Sequence, residues 1–134
     1  MDYNIENKFQ FILNHLIVSD LLRINFCRKV DTTEYTDILF KILMRGNKFN
    51  EVCLQARNLR KLFDIITNHI ETSRDCSKMV ANIVLNNRII NFASLNERAE
   101  KIKDFFQLSN IYNPKIKYSI LYKQQLRKLM IKRL

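Results

Sequence analysis

The side chains best suited to chemistry in this sequence are those of its two histidines and three cysteines, which are His15, His69, Cys27, Cys53 and Cys76. Zinc sites usually draw ligands in pairs that lie two to four residues apart. No pair among these five residues has that spacing. The sequence therefore favours structural thiols and ordinary histidines over a metal site, and it predicts no cofactor.

Enzymes that use a nucleophile or bind phosphate in a loop carry local motifs that this sequence lacks. No nucleophile elbow surrounds any of the candidate residues. A phosphate-binding loop is nearly excluded, because the chain contains a single glycine, Gly46. A Cys–His pair would depend on a proximity that the sequence does not show. We therefore expect a non-enzymatic protein without a small-molecule substrate.

The distribution of charge is the second feature that bears on function. The chain has 134 residues and a net charge of +10, with 23 Lys and Arg against 13 Asp and Glu. Residues 1–100 hold 14 cations and 12 anions, whereas residues 101–134 hold nine cations and Asp104 as the only anion. Lysines and arginines at phosphates release counterions, which gives salt-sensitive and sequence-independent affinity. The candidate residues for nucleic-acid or anionic-surface binding are Lys115, Lys117, Lys123, Arg127, Lys128, Lys132 and Arg133.

The basic segment over residues 115–134 has several interpretations. Apolar side chains recur there at helical spacing, and most lysines fall on the opposite side, which predicts a basic amphipathic helix. Such a helix can bind nucleic acid, lie on an anionic membrane or dock on a protein partner. It can equally pack its apolar stripe on the rest of the molecule and leave a solvated basic face. Three tyrosines could stack on bases or belong to the packed stripe, and these are Tyr112, Tyr118 and Tyr122.

Helical periodicity and the scarcity of Gly and Pro predict an all-α fold. β-hairpins depend on Gly, Asn and Asp at their turns, and the chain has one Gly and one Pro. Gly46 is placed for a left-handed cap at the end of a helix. The sequence predicts helices over residues 3–16, from Ser19 to near Lys29, from a capping box at Asp31 to Arg45, over about 51–70, 75–87 and 89–108, and over 115–134.

The predicted organisation is a helical-bundle domain over residues 1–100 and a basic C-terminal helical extension over residues 101–134. No apolar run is long enough for a membrane span, and the N-terminus lacks a signal-peptide pattern. Three widely spaced cysteines fit a reducing compartment. We therefore expect an intracellular protein, in the cytoplasm or the nucleus.

Over roughly residues 5–98 the chain resembles the caspase-recruitment domain (CARD) of the death-fold superfamily. Its first helix runs into Leu16-Ile-Val-Ser-Asp20-Leu-Leu, followed by Cys27-Arg-Lys-Val30 and by Asp31-Thr-Thr-Glu34-Tyr35. The segments Ala56-Arg-Asn-Leu59-Arg-Lys-Leu62, Asp75-Cys-Ser-Lys-Met79 and Asn91-Phe-Ala-Ser-Leu95 are similar to the fourth, fifth and sixth helices of that family. The resemblance implies a six-helix antiparallel bundle over about residues 5–98.

The resemblance also implies a protein-interaction module of cell-death or immune signalling, acting as an adaptor or as a viral competitor. Its partner would be a homotypic CARD-like domain or a second copy of the chain. Complementary acidic and basic patches would set the register of a head-to-tail contact. The matching acidic residues are Asp20, Asp31, Glu34 and Asp37, and the matching basic residues are Lys8, Arg57, Arg60 and Lys61.

Overall fold

The computed structural model describes residues 19–26, 32–86, 100–102, 105–123 and 128–134. These residues form one seven-stranded mixed sheet and two α-helices. The strands are β1 Ser19–Asn25, β2 Phe49–Gln55, β3 Asn82–Asn86, β4 Glu100–Ile102, β5 Phe105–Ser109, β6 Lys117–Lys123 and β7 Lys128–Arg133. The helices are α1 Thr36–Leu43, which follows a 3-10 turn at Thr32–Tyr35, and α2 Arg60–Thr72.

The order of strands across the sheet is β1-β2-β3-β7-β6-β5-β4. Strands β1, β2 and β3 are parallel, and every other neighbouring pair is antiparallel. Helix α1 connects β1 to β2, and α2 connects β2 to β3. Both crossovers step in the same direction, so their usual right-handedness places both helices on one face of the sheet. Contact between α1 and α2 agrees with this placement.

The helix-covered face of the sheet, here called the inner face, carries the hydrophobic core. Alternate residues of each strand point to it, and the register aligns them across neighbouring strands. Ile83 pairs with Val52 on one side and with Ile131 on the other, and Ile131 also pairs with Ile120. All four are buried, as are the core-facing residues of α2, which are Leu62, Phe63, Ile66 and Ile70. This pattern of alternate burial fixes which strand residues face away from the helices.

The prediction of an all-α six-helix bundle is wrong, because the sheet dominates the described structure. Nothing in the structure indicates a death fold, so the CARD-like resemblance is wrong as well. This sheet can form in a chain with a single glycine, because its parallel strands are joined by helices and need no tight hairpins. The β5–β6 turn uses asparagine instead, since Asn110 Oδ1 accepts hydrogen bonds from the backbone N–H of Tyr112 at 2.9 Å and of Asn113 at 3.0 Å.

Individual helix predictions fared differently. The helix expected from Asp31 to Arg45 is confirmed in part as α1, which begins at Thr36 after a 3-10 turn. The next one is also confirmed in part, because α2 begins at Arg60 rather than near residue 51. The helices expected from Ser19 and over 75–87 are wrong, since these segments contain β1 and β3. The helix expected over 89–108 is wrong in its described part, which contains β4 and most of β5. The basic C-terminal helix is wrong in its described part as well, which forms β6 and β7. The helix expected over 3–16 lies outside the described residues.

Gly46 follows α1, but its backbone is not in the left-handed region that a C-cap glycine adopts. Its N–H donates a hydrogen bond to the carbonyl oxygen of Lys78 at 2.8 Å. A Cβ atom at this position would lie 2.8 Å from that oxygen and 2.9 Å from the carbonyl oxygen of Met79. Close approach of the two backbone segments therefore explains the glycine. Neither of the two described α-helices has the length and apolar character that crossing a membrane requires.

Candidate nucleic-acid interface

The face of the sheet turned away from α1 and α2, here called the outer face, differs in character from the buried inner face. Its residues are those that alternate with the core positions, and they keep part of their surface exposed. From β1 to β5 the described side chains are Leu21, Arg23, Asn25, Glu51, Cys53, Gln55, Asn82, Val84, Asn86, Lys128, Met130, Lys132, Lys117, Ser119, Leu121, Gln107 and Ser109. The outer face is therefore rich in cations and amides.

Strand register arranges the outer face into rows that run across the sheet. Met130 of β7 pairs with Val84 of β3 and with Leu121 of β6, and these three residues are here called the apolar row. On one side of it Asn86 pairs with Lys128. On the other side Lys132 pairs with Asn82 and Ser119. The apolar row thus lies between two polar rows, each containing a lysine of β7.

Charge on the outer face is predominantly positive. Its described cations are Arg23, Lys117, Lys128 and Lys132, and Glu51 is the one acidic side chain that the structure describes on this face. Arg23, Lys117 and Lys132 are exposed, and Lys128 is half-buried. Cations gathered on one surface create a positive potential that attracts polyanions and speeds their association.

The charges of the outer face affect the pKa of the Cys53 thiol. Burial raises its pKa most strongly, and the carboxylate of Glu51, which Sγ approaches to 3.8 Å, raises it further. Arg23 and Lys128 act in the opposite direction and lower the same pKa. Arg23 of β1 and Lys128 of β7 therefore both act on the thiol of Cys53, which lies on a strand between theirs.

The predicted basic residues of the C-terminal segment occupy different surroundings. Lys117, Lys128 and Lys132 lie on the outer face, and Lys115 is exposed in the β5–β6 turn. The backbone of Lys123 pairs with that of Lys128 in the register of β6 and β7. Arg127 lies outside the described residues. The sheet thus collects three of the predicted lysines on one surface.

Arg133 instead has a structural environment on the inner side. Its Nε donates a hydrogen bond to the Tyr118 hydroxyl at 2.9 Å. Its Nη2 donates to the carbonyl oxygens of Cys76 at 2.8 Å and Met79 at 3.0 Å. Burial raises the pKa of Tyr118, and the nearby guanidinium partly opposes that rise. These contacts join β7 and β6 to the segment before β3.

The described residues matched to the acidic and basic patches lie at both ends of the strands, because Asp20 is near the start of β1, where Ser19 pairs with Phe49, whereas Arg57 follows the end of β2. Glu34, Asp37 and Asp20 are exposed, and so are the cations at the start of α2, which are Arg57, Arg60 and Lys61. Asn58 Nδ2 donates a hydrogen bond to Thr33 Oγ1 at 3.1 Å, so the neighbours Glu34 and Arg57 flank one contact. Asp31 and Lys8 lie outside the described residues.

His69 and Cys76, which lie on and after α2, are held by packing and by backbone contacts. The half-buried ring of His69 packs edge-on against Phe40 at 5.4 Å, and its buried Nε2 has no hydrogen-bond partner among the described residues. Burial lowers the pKa of His69, and Asp75 partly opposes that effect. Buried Cys76 has its Sγ within 3.5 Å of the His69 carbonyl oxygen and accepts a hydrogen bond from Asn110 Nδ2 at 3.3 Å.

A metal-binding arrangement does not emerge from these contacts. Across the part of the chain that the structure describes, no three or more His, Cys, Asp or Glu side chains are grouped so that they could hold a metal ion. His15 and Cys27 lie outside that part. The outer face is distinguished by the sign of its charge, because its described charged residues are four cations and Glu51.

Arg23, the amides and the apolar row were not among the site residues predicted from the sequence. Period-two alternation carries the signal that would have found several of them. In β6 the lysines at positions 117 and 123 alternate with the inner residues Tyr118, Ile120 and Tyr122, and in β7 Lys128, Met130 and Lys132 alternate with Leu129 and Ile131. Helical spacing fits the same residues, which explains why the helix was predicted. Nothing matches this chain among protein-family models, curated proteins or solved structures.

Proposed function

We propose that this protein is a non-enzymatic nucleic-acid-binding protein and that the outer face of its sheet is the contact surface. The observation that carries the proposal is the gathering of Arg23, Lys117, Lys128 and Lys132 on one face, where Glu51 is the one described acid. Cations from strands that are far apart in the sequence reach this face through the sheet topology.

The chemistry of the outer face suits a phosphate backbone. Each lysine or arginine placed at a phosphate releases condensed counterions, so binding gains entropy and weakens as salt increases. The amides on the same face can donate and accept hydrogen bonds with sugars and bases. Polar rows of this composition are compatible with an interface that is wet and positively charged, as nucleic-acid interfaces are.

The test is the salt dependence of binding, measured by fluorescence anisotropy with a labelled oligonucleotide. For the wild-type chain we expect the association constant to fall steeply between about 50 and 200 mM salt. The double variant Lys128→Gln/Lys132→Gln should reduce the slope of log K against log salt by roughly 1.4 to 1.8, because two phosphate contacts are lost.

A matched control removes two cations from the helix side of the molecule. The variant Arg60→Gln/Lys61→Gln changes the net charge by the same amount at two exposed positions of α2. It should leave the slope close to that of the wild-type chain. Binding that does not depend on salt, or an equal loss of slope in both double variants, would overturn the proposal.

A further inference from the structure

The composition of the outer face bears on whether its ligand is single-stranded or double-stranded nucleic acid. This inference rests on the proposed function and concerns the same surface. Val84, Met130 and Leu121 form the apolar row and remain partly exposed between the two polar rows. A purely electrostatic surface for phosphates needs no apolar side chains at its centre. The apolar row therefore indicates a ligand that has apolar as well as anionic groups.

The breadth of the sheet argues against a duplex. The major groove of B-DNA is about 12 Å wide and admits a helix or a two-stranded ribbon. The outer face runs through β1, β2, β3, β7, β6 and β5, and at about 4.8 Å between neighbouring strands this span is roughly 24 Å. A surface of this breadth does not fit inside the major groove of an undistorted duplex, so its lysines would contact phosphates there and the apolar row would lie over the groove without an apolar partner.

A single strand can use both parts of the outer face. Its unpaired bases present flat apolar faces, which can contact Val84, Met130 and Leu121. Lys128 and Lys132 flank that row from positions four residues apart on β7, or about 13 Å along the strand. Asn82 and Asn86 lie beside them in the register and can hydrogen-bond to base edges.

We propose that the outer face binds single-stranded nucleic acid, with bases against the apolar row and phosphates at the flanking lysines. Val84, Met130 and Leu121 then contact base faces that stacking hides in an undistorted duplex. Amides and lysines on both sides keep the backbone of the strand along the row. The expected ligand class is single-stranded RNA or DNA with little dependence on sequence, because every base has an apolar face.

The experiment compares three labelled probes, which are a single-stranded RNA, a single-stranded DNA and a duplex DNA of about 20 nucleotides per strand, a length chosen to exceed a typical single-strand binding site. The wild-type chain should bind at least one single-stranded probe about tenfold more tightly than the duplex. The variants Met130→Gln and Leu121→Gln should each weaken single-strand binding by about five- to thirty-fold, because each loses part of an apolar contact with a base. The slope against salt should stay unchanged, because no cation is removed.

Two controls separate loss of the contact from loss of the fold. Ile111→Gln makes the same kind of change at an aliphatic residue that is 64% exposed in the β5–β6 turn, away from the outer face. It should bind all probes as the wild-type chain does. Circular dichroism and thermal unfolding of each variant show whether the sheet is intact, and agreement between Met130→Gln and Leu121→Gln makes the result independent of either substitution alone.

The outcomes distinguish this inference from the function on which it rests. If the duplex binds as tightly as the single strands and both glutamine variants bind normally, the single-strand inference fails. The proposed function would still stand in that case, provided that Lys128→Gln/Lys132→Gln lowers the salt slope. If no probe shows salt-dependent binding, both proposals fail together.

Discussion

Lys132 and Arg133 are adjacent in the sequence, yet the sheet gives them opposite roles. Lys132 is exposed on the outer face, while Arg133 donates hydrogen bonds to Tyr118 and to two backbone carbonyl oxygens on the inner side. Successive residues of a strand point to opposite faces, so one step along the chain changes a candidate phosphate contact into a structural contact. The basic residues of the tail are therefore not equivalent, although their charges are the same.

His69 makes the stability of the fold dependent on pH. Its folded-state pKa is lowered, mainly by burial, so the unfolded chain binds a proton at this site more readily than the folded chain. The stabilising contribution is present in full above the unfolded pKa of about 6.5, and it is lost as pH falls from there toward the lower folded value. We expect the melting temperature of the wild-type chain to decrease between about pH 7.5 and 5.5 for this reason.

The variant His69→Gln cannot titrate and isolates this effect. The difference in melting temperature between the wild-type chain and the variant should shrink or reverse in sign toward acidic pH, because the wild-type chain alone loses stability through residue 69. Groups that do not interact with residue 69 contribute equally to both proteins and cancel in the difference, and Asp75, whose pKa is lowered mainly by its hydrogen bonds with Ser77, stays ionised over this pH range in both. Parallel curves for the two proteins over this pH range would contradict the assignment.

At the scale of elements, Asn110 joins the end of α2 to the β5–β6 turn. Its Nδ2 donates hydrogen bonds to the carbonyl oxygens of Ile70 at 2.9 Å and Ser73 at 2.7 Å, groups that the helix itself leaves unsatisfied. Its Oδ1 accepts two backbone N–H groups of the turn. Because Asn110 is buried, Asn110→Ala should leave several polar groups without partners and lower the free energy of unfolding by about 2–4 kcal/mol.

Urea denaturation of matched variants measures this contribution. Asn113→Ala removes an exposed side chain from the same turn, and with it one hydrogen bond of 3.2 Å from the backbone N–H of Lys115. That variant should lose less than about 1 kcal/mol. Similar shifts of the unfolding midpoint for both alanine variants would show that the buried position of Asn110 has no special role.

The sequence allowed some elements to be predicted and concealed others for physical reasons. The amphipathic pattern of α1 and of the later part of α2 is unambiguous, because the apolar stripe in each is long enough to exclude alternation. In β6 and β7, apolar residues satisfy both helical and strand spacing. There the β-branched and aromatic residues, such as Tyr118, Ile120 and Ile131, were the better indicator. The low glycine content favoured the wrong prediction of an all-α fold, because it also fits a sheet whose parallel strands are connected by helices.

Only part of the candidate site could be predicted from the sequence, for a related reason. The excess of positive charge after residue 100 is visible in composition, and it drew attention to Lys117, Lys128 and Lys132, which the sheet places on the outer face. Arg23 lies about a hundred residues away in the chain, and it joins the outer face through strand pairing of β1 with β2. Long-range pairing of this kind leaves no local pattern, so the surface exists only in the folded molecule.

At the scale of the whole molecule, the two faces of the sheet have separate tasks. The inner face and the two helices bury the core, whereas the outer face combines cations, amides and the apolar row. We propose that nucleic acid contacts this outer face. Methionine residues provide reporters on both sides of the sheet, because Met130 lies on the outer face, Met79 is buried and Met44 is half-buried beside α1.

The most direct test is a titration of protein labelled with ¹³C at its methionine methyl groups, followed by NMR as single-stranded nucleic acid is added. We expect the chemical shift of Met130 to change progressively until binding saturates, while the chemical shifts of Met79 and Met44 remain unchanged. Contact on the helix side would instead move the Met44 signal. A Met130 signal that remains unchanged at saturation would contradict the assignment of the outer face.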